Sequence, residues 1–100
     1  MVSEEKIREA LRQVIDPELH FNIVELGLVY EIKVNGGDVK VVMSLTSPAC
    51  PAGPQMIAQA ETVARQVEGV KNVEIEITFE PPWNPKMASG KALDALEDFI

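Results

Sequence analysis

Residues 28–45, LVYEIKVNGGDVKVVMSL, decide the fold. The first half alternates, with Leu28, Tyr30, Ile32 and Val34 on one face and Val29, Glu31 and Lys33 on the other, the period of a half-buried strand. Asn35-Gly36-Gly37-Asp38 follows, residue types that tolerate the positive φ of a tight hairpin turn. The return run turns Val39, Val41, Met43 and Leu45 to the same side and Lys40, Val42 and Ser44 to the other. Two antiparallel strands with one apolar face are therefore expected, and something must cover that face.

The flanking segments supply the cover. Upstream, Ser3 is suited to cap a helix with Glu4 and Glu5 in its first turn, where the dipole favours acids. Ile7, Ala10, Leu11, Val14 and Ile15 then form one helical stripe, and Pro17 stops it. Downstream, Gly53 is expected as the cap and Pro54 at the first position of a second helix. Its apolar face is Met56, Ile57, Ala60, Val63, Ala64 and Val67, with Gly69 as the stop. A third strand, NVEIEITF (72–79), points Val73, Ile75, Ile77 and Phe79 inward. Pro81-Pro82-Trp83-Asn84-Pro85 is a stiff exit with Trp83 as a lid on the core, and Ser89 opens a last helix carrying Ala92, Leu93, Leu96 and Phe99 on one side.

The order α-β-β-α-β-α predicts an α/β (α+β) two-layer sandwich. Its three-stranded mixed sheet should carry helices on one face only, because every strand has one polar face. The second strand, second helix and third strand form a βαβ unit. Residues 1–100 should make a single domain, since roughly this length buries enough surface for one core.

Composition narrows the chemistry. The net charge of −7 speaks against nucleic acid, which needs clustered Lys and Arg. The longest apolar runs fall far short of the roughly 20 residues of a membrane span, and the acidic, amphipathic start is unlike a signal peptide, so a cytoplasmic chain is expected. A single cysteine excludes an internal disulfide. It also cannot complete a metal centre that takes about four protein ligands, so any cluster needs donors from elsewhere. A homodimer would bring two Cys50 thiolates together, and a partner's cysteine would serve equally.

Cys50 itself is oddly placed. It lies in TSPACPAGP (46–54), between Pro48 and Pro51, where neither helix interior nor central strand can form. The layout puts it at the C-terminal edge of the sheet, where ligands of α/β folds bind, just ahead of a helix whose positive end favours thiolate. Thr46 and Ser47 add hydroxyls. The plain alternative is a small apolar residue packed in a proline turn. Asp16-Pro17-Glu18 sets two carboxylates near this mouth, although Asp-Pro is also an ordinary way to end a helix. His20, the one histidine, invites a Cys–His pair but reads more simply as a surface residue. Glu31, Lys33, Lys40, Glu74 and Glu76 read as the solvated sheet face with cross-strand pairing. There is no phosphate loop, Cys-x-x-Cys pair, nucleophile elbow or metalloprotease helix.

Taken in order, DPE (16–18), VELGLVYEI (24–32), MSLTSPACPAGP (43–54) and VEGVKNVEIEITFEPPWNP (67–85) resemble the metal–sulfur cluster biosynthesis family, which includes PaaD-like and SufT-like proteins. The resemblance implies an iron–sulfur cluster assembly domain, an accessory factor rather than an enzyme. Such a factor assembles or delivers clusters to client apoproteins in concert with scaffold or carrier proteins. It implies a functional site of Asp16, Glu18 and Leu19 from one loop and Thr46, Ser47 and Cys50 from another, with Cys50 contacting iron or a transient iron–sulfur cluster. Ser47 stands where the family often has threonine, which keeps the hydroxyl. The cysteine-rich tail common in the PaaD branch is lacking before Ile100, which favours general assembly over service to an oxygenase. Two other readings stand beside this one: a metal-free adaptor that docks machinery to clients, and a thiol enzyme with Cys50 as nucleophile.

Overall fold

The computed structural model describes residues 2–46 and 51–97. Ser3 opens α1 (Glu4–Leu11), its hydroxyl oxygen accepting from the Lys6 amide at 3.2 Å, with Glu4 and Glu5 in the first turn. After a long loop, β1 (Val29–Asn35) and β2 (Asp38–Met43) pair antiparallel around the Asn35-Gly36-Gly37-Asp38 turn, where Gly36 takes φ +62°. Helix α2 (Gly53–Arg65) carries the chain to β3 (Asn72–Ile77), which runs parallel to β2. A short 3-10 turn (Pro85–Met87) precedes α3 (Gly90–Glu97). The sheet order is β1-β2-β3, so the mixed three-stranded sheet is as expected.

Helix α1 packs on β1 and on α2, and α2 on β3. Ile7, Leu11, Ile32, Val39, Val41, Met43, Met56, Ala60, Ala92 and Leu96 belong to one buried cluster between the layers. The opposite sheet face is wet and charged. On it Lys40 bridges β2 to β3, with Nζ 3.0 Å from Glu76 and 3.7 Å from Glu74, while Lys33 lies 3.8 Å from Glu31. Hydrogen bonding and charge from Glu76, then charge from Glu74, raise the Lys40 ammonium pKa above its ordinary value.

Four local expectations are corrected. Tyr30 does not point inward: a bulge between Val29 and Glu31 pairs Val29 with Met43 and Glu31 with Val42, so Val29 joins the core face and Tyr30 leaves it. Helix α1 ends at Leu11, and Ile15 is 47% exposed because its segment bridges Asn22 instead of continuing the helix. Helix α2 takes Ala52 as its N-cap, not Gly53, and its last helical residue is Arg65, before Val67. Phe79 is 36% exposed, because β3 stops at Ile77 and the chain turns away. The expectation for Phe99 falls outside the described residues.

Candidate functional site

Between α1 and β1 the chain folds on itself around Asp16. The Asp16 amide donates to the Phe21 carbonyl at 2.9 Å, and the His20 amide donates back to the Asp16 carbonyl at 2.8 Å. Inside this closed turn the carboxylate oxygen Oδ1 accepts from the amides of Glu18 at 2.8 Å and Leu19 at 3.1 Å. Asp-Pro-Glu builds such a turn because a short carboxylate reaches the backbone two and three residues on. The closure forces His20 to φ +63°, leaving its side chain exposed. Asp16 is fully buried, and among the described residues its Oδ2 has no hydrogen-bond partner.

The turn is tied to the end of β2. The Ile23 amide donates to the Val14 carbonyl, the Leu28 amide to Ile23 and the buried Ser44 amide to Leu28, the last at 2.8 Å. Leu45 and the half-buried Thr46 follow. Beyond the undescribed stretch, α2 starts without a side-chain cap and without an acid in its first turn, so its terminal amides carry no competing anion from the helix itself. Gly53 is buried under Leu45, whose Cδ1 would lie 2.9 Å from an added Cβ. Gln13, just after α1, shares a groove of about 390 Å³ with Gln55 and Gln59 of α2, which sets the exit of one helix beside the first turns of the other.

A third segment crosses the same end of the sheet. After β3 the Thr78 amide donates to the Met43 carbonyl, and residues 80–89 run back toward β1. Tyr30 Oη donates to the Pro81 carbonyl at 2.8 Å, Trp83 Nε1 to Leu26 at 2.6 Å, and the Ser89 amide to Glu25 at 2.7 Å. Trp83 is half-buried against the core, the lid that its proline setting implied.

Of the six expected site residues, Asp16, Glu18 and Leu19 share one turn, and Thr46 stands at the exit of β2. Ser47 and Cys50 lie outside the described residues. His20 donates its amide to the turn, and its imidazole remains on the surface. Sequence reasoning missed Gly27, Tyr30 and Leu26 as the seat of the crossing strap. The one available signal was Gly27 immediately ahead of a strand, a position where glycine often marks close backbone approach. Among the described residues no three His, Cys, Asp or Glu side chains gather as a metal site. Nor does any described helix have the length and apolarity to cross a membrane. A hollow of about 840 Å³ lies over the charged sheet face and includes none of the six. A smaller apolar one of about 390 Å³ is walled by Glu18, Leu19, His20 and Phe21 on the turn and by Ala95 and Leu96 of α3.

Residues 4–77 match the model of a family described as iron-sulfur cluster assembly protein. The chain belongs to this family. The matched stretch contains the Asp16 turn, the cysteine loop and the sheet, and stops where the strap begins. The assembly-family chain is 45% identical over 92 residues to an Fe-S protein maturation auxiliary factor of Porphyromonas gingivalis, covering 91% of this chain and 88% of that one. It is 46% identical over 84 residues to the maturation auxiliary factor SufT of Staphylococcus aureus, covering 83% and 96%. A crystal structure of a domain of unknown function from Bacillus anthracis superposes with TM-score 0.89 at 34% identity, over 94% of this chain and 91% of that one.

Proposed function

We propose that this assembly-family domain is an accessory factor that helps iron or iron–sulfur clusters reach client apoproteins, without catalysing a reaction of its own. Cys50 is the thiolate that contacts the cargo, and Asp16, Glu18, Leu19, Thr46 and Ser47 shape its surroundings. The observation that carries the reading is the closed Asp16 turn, linked to the end of β2 through the Val14–Ile23, Ile23–Leu28 and Leu28–Ser44 hydrogen bonds, within the stretch that matches the family. One thiolate per chain suits a carrier that holds cargo briefly, since the remaining positions fall to a scaffold, a client or a second copy. A reducing compartment such as the cytoplasm keeps that thiol available.

The test is maturation of a [4Fe–4S]-dependent client enzyme in cells that rely on this protein. Cys50→Ser is expected to reduce client activity to that of cells lacking the protein, at equal client abundance. Full client activity with Cys50→Ser would sink the thiolate reading.

A metal-free adaptor draws support from a different observation, the exposed Ile15 and Phe79. In that case Ile15→Asp and Phe79→Asp would abolish co-purification with scaffold or client, while Cys50→Ser would not.

A further inference from the structure

The 3-10 turn in the strap, Pro85–Met87, ends on a methionine whose surroundings differ from those of the other described ones. Met43 is 0% exposed and Met56 1%, both inside the core. Met87 is half-buried and lines the hollow of about 840 Å³ over the charged sheet face, with Tyr30, Val42 and Thr78. Met1 lies outside the described residues. Among the described methionines, Met87 is therefore the one that a small solute can reach.

The Met87 thioether also has a structural task. The Asn84 amide donates to Sδ at 3.4 Å, while Asn84 Oδ1 accepts from the Lys86 amide at 2.9 Å, so the turn is tied from both ends. The Met87 amide donates to the Asn84 carbonyl at 3.0 Å, and Ala88, next in the chain, is buried. Met87 lies directly against Gly27, where an added Cβ would come 3.2 Å from Met87 Cβ. The turn thus presses on the loop ahead of β1, between the Trp83–Leu26 and Ser89–Glu25 hydrogen bonds. A thioether suits this place because it is apolar, polarisable and only a weak acceptor. A sulfoxide does not, since its strongly polar oxygen draws the side chain toward water.

We propose that Met87 is a modification site, oxidised by hydroperoxides to methionine sulfoxide, and that this change loosens the strap from Gly27. In the step, Sδ attacks one oxygen of hydrogen peroxide. An S–O bond forms, the O–O bond breaks, and the electron pair lost by sulfur leaves on hydroxide. That hydroxide takes the proton from the transferred oxygen and departs as water. Sulfoxide reductases reverse the change, with thiols as reductant and water as product. The strap follows the family-matched residues 4–77, so the inference stands apart from the cargo reading.

The experiment exposes the full chain to hydrogen peroxide at neutral pH and maps each methionine by peptide mass spectrometry, with Trp83 emission followed in parallel. Met87 should gain oxygen at least about tenfold faster than Met43 or Met56. The emission should move to the red as it does so, and sulfoxide reductases with a thiol should return both signals. Met87→Leu, similar in volume but without sulfur, should keep its emission under the same treatment. Cys50→Ser should shift as the wild type does, because the thiol plays no part. Oxidation of Met43 or Met56 at the rate of Met87 would overturn the site, and this readout uses wild type alone. Full oxidation of Met87 with unmoved emission, or a shift retained in Met87→Leu, would overturn the loosening of the strap. A shift lost in Cys50→Ser would assign it to the thiol and overturn it as well.

Discussion

Trp83 is bound to the carbonyl of Leu26, 57 residues earlier in the chain, by an indole hydrogen bond of 2.6 Å. Leu26 is buried and Trp83 half-buried, so water replaces this bond poorly. The bond clamps the strap after β3 onto the loop that ends at β1. Trp83→Phe keeps most of the apolar body and leaves the carbonyl unpaired. It should cost about 1–3 kcal/mol in urea denaturation, with little change in the denaturant slope.

Gly27 lies under the same strap. It has φ +77°, and a Cβ there would meet the Met87 carbonyl oxygen at 2.2 Å, a backbone atom that cannot rotate aside. Gly27→Ala combines that clash with a strained left-handed backbone. A loss of about 2–4 kcal/mol is expected. Trp83, the one tryptophan, reports the cause: its emission should shift to the red as the strap lifts from Leu26.

Asp16 should separate its two oxygens by mutation. Asp16→Ala abandons the amides of Glu18 and Leu19, whereas Asp16→Asn retains an acceptor for them. Thermal and urea unfolding should rank Asp16→Ala below Asp16→Asn by about 1–2 kcal/mol. Asp16→Asn should stay close to wild type, because it has the same size and keeps an oxygen for both amides.

Lys40 predicts a small alkaline sensitivity. Its pKa is raised by Glu76 and then Glu74, so folding favours the charged form. That contribution is fully present below the unfolded value near 10.5 and fades as pH rises through the higher folded value. Comparing wild type with Lys40→Gln from neutral to strongly alkaline pH should show the stability difference shrinking only above the ordinary lysine range. Salt should reduce it at every pH, because the pair is exposed.

The hairpin, both covering helices and the third strand were legible because each repeats an apolar residue at its own period. Three of the errors share one cause. Tyr30, Ile15 and Phe79 all continue a local pattern that a distant contact interrupts: a bulge against β2, a bridge to Asn22, and the turn into the strap. In the site, Asp16 and Glu18 could be named from the Asp-Pro-Glu string. Nothing local distinguished a helix-ending aspartate from a buried one that closes a turn.

Sequence alone determined the element order and most of the apolar face of each strand. These follow from periodicity and from what proline and glycine permit, which neighbouring residues decide among themselves. Only the tertiary structure decided that Ile23 and Leu28 link the Asp16 loop to Ser44 after β2, that Asp16 is buried, and that Trp83 pins the strap to Leu26. Each depends on burial and hydrogen bonding between residues far apart in the chain, and pairing at that distance leaves no period to read.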